Sequence, residues 1–251
     1  MQTSVMPKTG EPTDERSRQV LRRLQRNGFD ARFAETKDLA REIMLDLIPR
    51  EATVGIGNSV TLRQLGVLEA LEERGTPLIN PMRVLYTDPG GLALMKKLLK
   101  QSITADVFLS GTNAVTLDGK LVNIDGVGNR VAGMIYGPDK VIIAIGRNKI
   151  VASVSEALRR IKNVVTPMLR QRRGGQVPCR VTGKCSECSA PRRSCRVTTI
   201  LERRPTLTDT TVILIDEDLG AGFDPAWPQE RIGSLRGSYE QFDWPYAFDI
   251  R

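Results

Sequence analysis

ATVGIGNSVTLRQLGVLEALEERG, residues 52–75, is the stretch that decides the fold class. Thr53 to Ile56 has the character of a short buried strand, Gly57-Asn58 makes a tight turn, and Asn58 or Ser59 caps a helix that carries Leu62, Leu65, Leu68 and Leu71 on one face. Strand, glycine turn and helix in succession is the building unit of a parallel sheet. The unsatisfied N–H groups at such a helix start also favour an anion. The pattern Gly55-x-Gly57-x-Ser59 falls short of a dinucleotide fingerprint, which needs a third glycine and an acidic residue about 20 positions further on. A tight turn with an ordinary cap accounts for it equally well.

The same alternation continues outward in both directions. Upstream, Val20, Leu21 and Leu24 mark an amphipathic helix that starts at Thr13 and stops at Asn27-Gly28, and Phe29 to Phe33 reads as a short strand. Thr36 then caps a helix with Leu39, Ala40, Ile43, Met44 and Leu47 in register. Downstream, strands are expected at Pro77 to Asn80, Val107 to Leu109, Val141 to Ile145, Val197 to Glu202 and Thr211 to Ile215. Helices are expected at Leu92 to Gln101, Arg130 to Tyr136 and from Ser153 to about Met168. This order predicts an α/β protein with a mostly parallel sheet covered on both faces. Residues 1–12 read as a disordered N-terminus and 13–220 as one α/β domain that includes a thiol-rich segment, 178–196. Residues 221–251 read as an irregular tail that holds seven of the twelve aromatic residues and is expected to dock on its own domain or on a partner, its own domain first.

Composition removes several kinds of chemistry. The 251 residues include no histidine, so proton transfer falls to Asp, Glu, Lys, Tyr or Cys. The net charge of +8 is uneven: residues 159–204 hold thirteen Lys and Arg against Glu187 and Glu202, which is +11 and leaves −3 for the rest. One basic segment suggests a local anionic partner rather than a nucleic acid along the whole surface, and the absence of aromatics between residues 137 and 222 argues against base stacking. No apolar run is long enough to span a membrane and the N-terminus lacks an apolar signal core, so a cytoplasmic protein with no membrane partner is expected.

Residues 105–130, ADVFLSGTNAVTLDGKLVNIDGVGNR, concentrate glycines and polar side chains more densely than a core requires. Asp118-Gly119 between β-prone runs reads first as a hairpin turn. Asp125 lies among glycines beside Asn129 and Arg130, as a loop-capping carboxylate or a general base. All four cysteines fall within seventeen residues as Cys179-x5-Cys185-x2-Cys188-x6-Cys195. In a reducing compartment such a cluster indicates metal binding, and iron–sulfur cluster and zinc both take four thiolates; four free thiols or two disulfides are the other readings. Arg180, Lys184, Arg192, Arg193 and Arg196 would offset the thiolate charge.

Gly57-Asn58-Ser59-Val60-Thr61-Leu62-Arg63, Leu109 to Thr116, Gly119 to Arg130 and Val141 to Lys149 together resemble the LUD-domain family, the lactate-utilisation proteins, over roughly residues 14–220. The thiol segment from Pro178 to Cys195 looks like that of one branch of the family. The resemblance implies a fold like that of phosphosugar isomerases and coenzyme A transferases, and an accessory role in oxidising lactate or a related organic acid beside iron–sulfur partner proteins. By motif it carries over Gly57, Asn58, Ser59, Thr61 and Arg63 in a first loop, and Gly111, Thr112, Asn113, Asn123, Asp125, Gly126, Gly128, Asn129 and Arg130 in a second. Asn113 stands where related enzymes look to have an acid.

A cleft between these two loops is therefore expected to bind a small anionic ligand, a carboxylate or phosphate, through Ser59, Thr61, Arg63, Arg130 and Lys149, with Asp125 as the catalytic candidate. The competing readings are a free-standing isomerase or acyl/coenzyme A transferase, and a nucleic-acid module on the basic segment. Oligomeric state stays open, a homo-oligomer included.

Overall fold

The computed structural model describes residues 10–84 and 88–241. Ten strands are Asp30–Ala34 (β1), Val54–Ile56 (β2), Leu78–Ile79 (β3), Val107–Gly111 (β4), Ala114–Thr116 (β5), Leu121–Asp125 (β6), Lys140–Gly146 (β7), Ile150–Val151 (β8), Val197–Leu201 (β9) and Asp209–Ile215 (β10). The α-helices are Glu15–Arg26 (α1), Lys37–Leu47 (α2), Val60–Gln64 (α3), Val67–Glu73 (α4), Gly91–Ser102 (α5), Asn129–Ile135 (α6), Val154–Arg160 (α7), Thr166–Arg173 (α8), Pro178–Thr182 (α9) and Gln229–Glu240 (α10). A π turn over Ile161–Val165 joins α7 to α8.

Six strands form one parallel sheet in the order β1-β10-β7-β4-β2-β3. Its central strands are mostly apolar because both faces are covered. On one face Ile56, Leu109, Ile142, Ala144, Ile213 and Ile215 meet Ala40, Ile43 and Met44 of α2 and the leucines of α3 and α4. On the other, Phe108, Val141, Ile143, Ile145, Val212 and Leu214 meet Val20 and Leu24 of α1, Met134 of α6, and Val115 and Leu121 from a second sheet. Each such fully buried side chain contributes about 1.5–3 kcal/mol relative to exposure. The result is the expected three-layer α/β architecture.

The second sheet, ordered β8-β5-β6-β9, is mixed, with β5–β6 and β6–β9 antiparallel. Asp118-Gly119 closes the β5–β6 hairpin: Gly119 has φ +79° and the Thr116 hydroxyl donates to Asp118. The outer face of this sheet packs on Ala157, Ile161 and Val165.

Two expectations need correction. The single helix expected from Ser59 to Gly75 is two, since Gly66 sits at φ +65° and breaks the run between Leu65 and Val67, so that α3 is only five residues long. The tail expected to be irregular contains α10, whose Ile232, Leu235 and Tyr239 recur at helical spacing and are buried; Leu235 and Tyr239 pack against Val60 and Met168. Phe242, Trp244, Tyr246 and Phe248, like most of the stretch expected to be disordered, lie outside the described residues. Among the described residues no helix is long and apolar enough to cross a membrane.

Topology places a crevice. The chain runs from β2 outward to β3 and then back across β2 to β4, so the connections leaving β2 and β4 diverge. Beyond the carboxyl ends of strands at such a reversal the sheet leaves room for a ligand.

Candidate functional site

The carboxyl ends of β2, β4 and β7 deliver three loops to this crevice: 57–59, 112–113 and 147–149. The backbones come close because two positions lack a Cβ. A methyl at Gly57 would stand 2.7 Å from Arg130 Cγ, and one at Gly111 would stand 2.5 Å from Ser59 Oγ. Gly55 has a different reason. There a Cβ would lie 1.9 Å from the Ser102 carbonyl, where Ser102 Oγ also donates to Ile56 O (3.1 Å) and accepts from Ile56 N (2.8 Å), fixing α5 to β2. The Gly55-x-Gly57-x-Ser59 pattern is thus a packing requirement at each glycine.

Together these loops line a cleft of about 380 Å³ with the π turn, α8, residues 191–194 and Arg196. Asn58, Ser59, Thr61, Gly111, Thr112, Asn113, Asp125, Gly126, Asn129, Arg130 and Lys149 all stand on its wall. Gly57, Arg63, Asn123 and Gly128 are not part of its lining.

Arg130 is buried and fully committed. Its Nε donates to Asp125 Oδ2 (3.1 Å), Nη1 to Gly111 O (3.1 Å) and Asn123 Oδ1 (2.6 Å), and Nη2 to Asn113 Oδ1 (3.2 Å) and Ile124 O (3.1 Å). A guanidinium has five N–H donors, so none remains for a ligand. Asp125 is equally occupied, since its Oδ1 also accepts from Val127 N (3.1 Å) and Gly128 N (2.8 Å). With three donors on its two oxygens, the carboxylate is held in place by the protein itself. Asn123 completes the cluster, accepting from Thr112 Oγ1 and Asn113 N as well. This group fixes the second loop; it is scaffold for the cleft.

Lys149 is different. Its Nζ is buried at the cleft wall and donates to Thr61 Oγ1 (2.7 Å). No carboxylate pairs with it among the described residues. Burial first, then the charges of Arg160 and Arg130, bring its pKa down from 10.5 to about 7. Arg160, itself brought down to about 10 by burial, ties the loops together through Asn113 O, Asn148 O and Gly222 O. Asn58 Oδ1 is buried at the wall without a partner among the described residues.

The basic helix and thiol segments supply what the motifs did not indicate. Arg170, Arg192, Arg193 and Arg196 join Arg130 and Lys149, so six lining side chains are basic and one, Asp125, is acidic. Arg160 and Arg170 went unnoticed in the sequence, yet a signal existed: both sit in the inward-facing stripe of the 154–173 helical run, Arg160 between Ala157 and Ile161. A basic residue in an apolar stripe is bought at a desolvation cost and marks a special environment.

Cys179, Cys185, Cys188 and Cys195 are free, half-buried thiols that line one small cavity beside the cleft. Thr166, Arg170, Arg193 and Ser194 belong to both walls. Cys195 Sγ donates to Thr166 Oγ1 (3.7 Å) and Glu187 N donates to Cys185 Sγ (3.4 Å). Burial, then the neighbouring thiols, push the Cys179 thiol up. Among the described residues no group of three or more Cys, His, Asp or Glu is already gathered tightly enough to hold a metal ion.

Residues 17–215 match the family model described as the LUD domain. Among solved structures the chain is similar to a DUF162 family protein from Deinococcus radiodurans, at 16% identity and a TM-score of 0.46, with 81% of this chain and 99% of that one covered. No curated protein gives a significant match.

Proposed function

The chain belongs to the LUD domain family, and we propose that it serves lactate or related organic-acid oxidation as an accessory protein whose cleft holds a small carboxylate. The observation that carries this reading is Lys149. A buried amine with one hydroxyl partner, in a wall of six basic side chains against one acidic, is a site short of negative charge. A carboxylate placed against Nζ would supply that charge and draw the amine into its ammonium form. The hydroxyls of Ser59 and Thr61 and the side chains of Asn58 and Asn129 are at hand to orient the rest of a small hydroxy or oxo acid. The oxidation itself would lie with iron–sulfur partner proteins.

Titration calorimetry with L-lactate, pyruvate and sulfate tests this. Lactate or pyruvate should bind more tightly than sulfate, and Lys149→Met should weaken that binding at least about tenfold, the value of one lost charge-assisted hydrogen bond. Equal binding of all three anions, or full affinity in the variant, sinks the proposal. A free-standing isomerase or acyl/coenzyme A transferase needs a carboxylate free to take a proton or attack, and the cleft's one acidic lining residue is held by three donors. Turnover of a sugar phosphate or acyl thioester that vanishes in Asp125→Asn would favour that reading instead.

A further inference from the structure

Beside the cleft lies a second feature that the carboxylate reading does not use. Four thiols, one from α9 and three from the loop after it, line a common cavity of about 20 Å³. That is roughly the space of a single water-sized body, the scale of one ion. Arg170 and Arg193 also line it, and the Nε of each is buried without a hydrogen-bond partner among the described residues. Arg170 is 5% exposed. A buried guanidinium N–H without an acceptor is costly, and two on residues that line one cavity call for an anionic acceptor beside them. Neutral thiols are poor acceptors; thiolate sulfurs bound to a cation are good ones.

We propose that Cys179, Cys185, Cys188 and Cys195 bind one divalent ion of the zinc class as a tetrathiolate centre, and that this centre sets the wall of the cleft formed by residues 188–196. Four thiols release four protons to solvent as their sulfurs take the ion, with no change of oxidation state. The centre then carries two negative charges, which the Arg170 and Arg193 guanidinium groups balance.

Because the thiols share a cavity without yet converging on one point, the ion tightens the loop as it binds. The wall follows. Arg193 Nη1 donates to the Cys188 carbonyl, Arg170 Nη2 donates to the Arg192 carbonyl, and Cys195 reaches Thr166. Arg196 N donates to Asp125 O (3.0 Å), joining the end of the loop to the cleft scaffold. The metal site stands without the carboxylate reading, and only the meaning of the wall rests on it.

The experiment uses the full chain purified without chelators. Elemental analysis should find about one zinc per chain, and cobalt substitution should give the visible absorption of tetrahedral cobalt with thiolate charge-transfer bands in the near ultraviolet. Cys188→Ser, and separately Arg170→Gln, should each weaken the metal about tenfold or more in chelator competition. Chelation of the wild type should speed amide exchange across residues 186–196 while leaving β7 and β10 unchanged. Metal well below one equivalent together with no cobalt spectrum overturns the site, as do iron with acid-labile sulfide or two disulfides by mass spectrometry. Unchanged exchange at 186–196 after chelation overturns the wall. These readings contain no carboxylate, so their failure is separable from failure of lactate or pyruvate to bind, and the chelated wild type decides the matter even where Cys188→Ser does not fold.

Discussion

Lys149→Met isolates the electrostatic cost that the cleft carries. The folded protein holds this amine near pH 7 against an ordinary value of 10.5, chiefly by burial and then by Arg160 and Arg130. Between those two values the unfolded chain keeps a proton that the folded chain has lost. Stability contributed by this group therefore rises with pH across the window from about 7 to 10.5, and levels off below 7 where both states are charged. One pH unit inside the window is worth up to about 1.4 kcal/mol, so pH 7 to pH 9 should add roughly 2 kcal/mol to the ligand-free protein. Every other ionisable group is common to wild type and variant, so the difference between the two slopes belongs to Lys149. Methionine is close in volume and keeps the stem's packing. Urea unfolding of both proteins at pH 7, 8 and 9 measures the slopes; parallel curves would refute the argument, because they would mean that Lys149 keeps its ordinary ionisation. The same logic fixes the ligand's pH dependence. Lactate and pyruvate keep their charge above pH 6, so a fall in affinity of about tenfold from pH 6 to pH 8 reports deprotonation of Lys149 in the free protein.

Asp125→Asn should destabilise by about 3 kcal/mol, because it strips the charge partner from a buried guanidinium, and denaturant titration at pH 7 will read it; a loss within experimental error would mean that Arg130 finds another partner. Tyr239→Ala should cost about 3 kcal/mol in the same assay through loss of the largest side chain packed between α10, Val60 and Met168, and a negligible cost would show that α10 is no part of the cooperative unit. Gly57→Ala should push Arg130 out of its network, the new methyl standing 2.7 Å from Cγ, and should weaken carboxylate binding in calorimetry together with stability; undiminished affinity would show that the loops can part without harm.

The layers were legible in the sequence because their signal is periodic. Val141 to Ile145 can be little other than a buried strand, and Leu39, Ala40, Ile43 and Met44 little other than a helix face, since burial of apolar area is indifferent to detail. Where one residue's dihedral angle decides, the pattern misleads. Leucines on both sides of position 66 keep helical spacing, yet Gly66 at φ +65° divides them, and no count of apolar residues contains that angle. The aromatic tail misleads in the opposite way: Ile232, Leu235 and Tyr239 carry the spacing of α10, a period that the tail's ring content masks.

The cleft shows why polar residues are harder to read than apolar ones. An apolar side chain has one use, so its type almost settles its place. An arginine has five donors, and its role depends on how many of them the protein itself consumes. Arg130 and Arg170 look alike in the sequence, each basic within or beside a helix. The structure gives Arg130 five protein acceptors and leaves Arg170 Nε with none among the described residues, so the residue that the motif marks is scaffold while the one that no motif marks keeps a donor over. The same accounting separates Asp125, whose oxygens are taken, from Lys149, whose amine has Thr61 alone among the described residues. Hydrogen-bonding capacity left over at a buried wall, more than residue type or motif, is therefore the ground on which both proposals rest, an anion at Lys149 and a metal-bound thiolate centre beside Arg170 and Arg193.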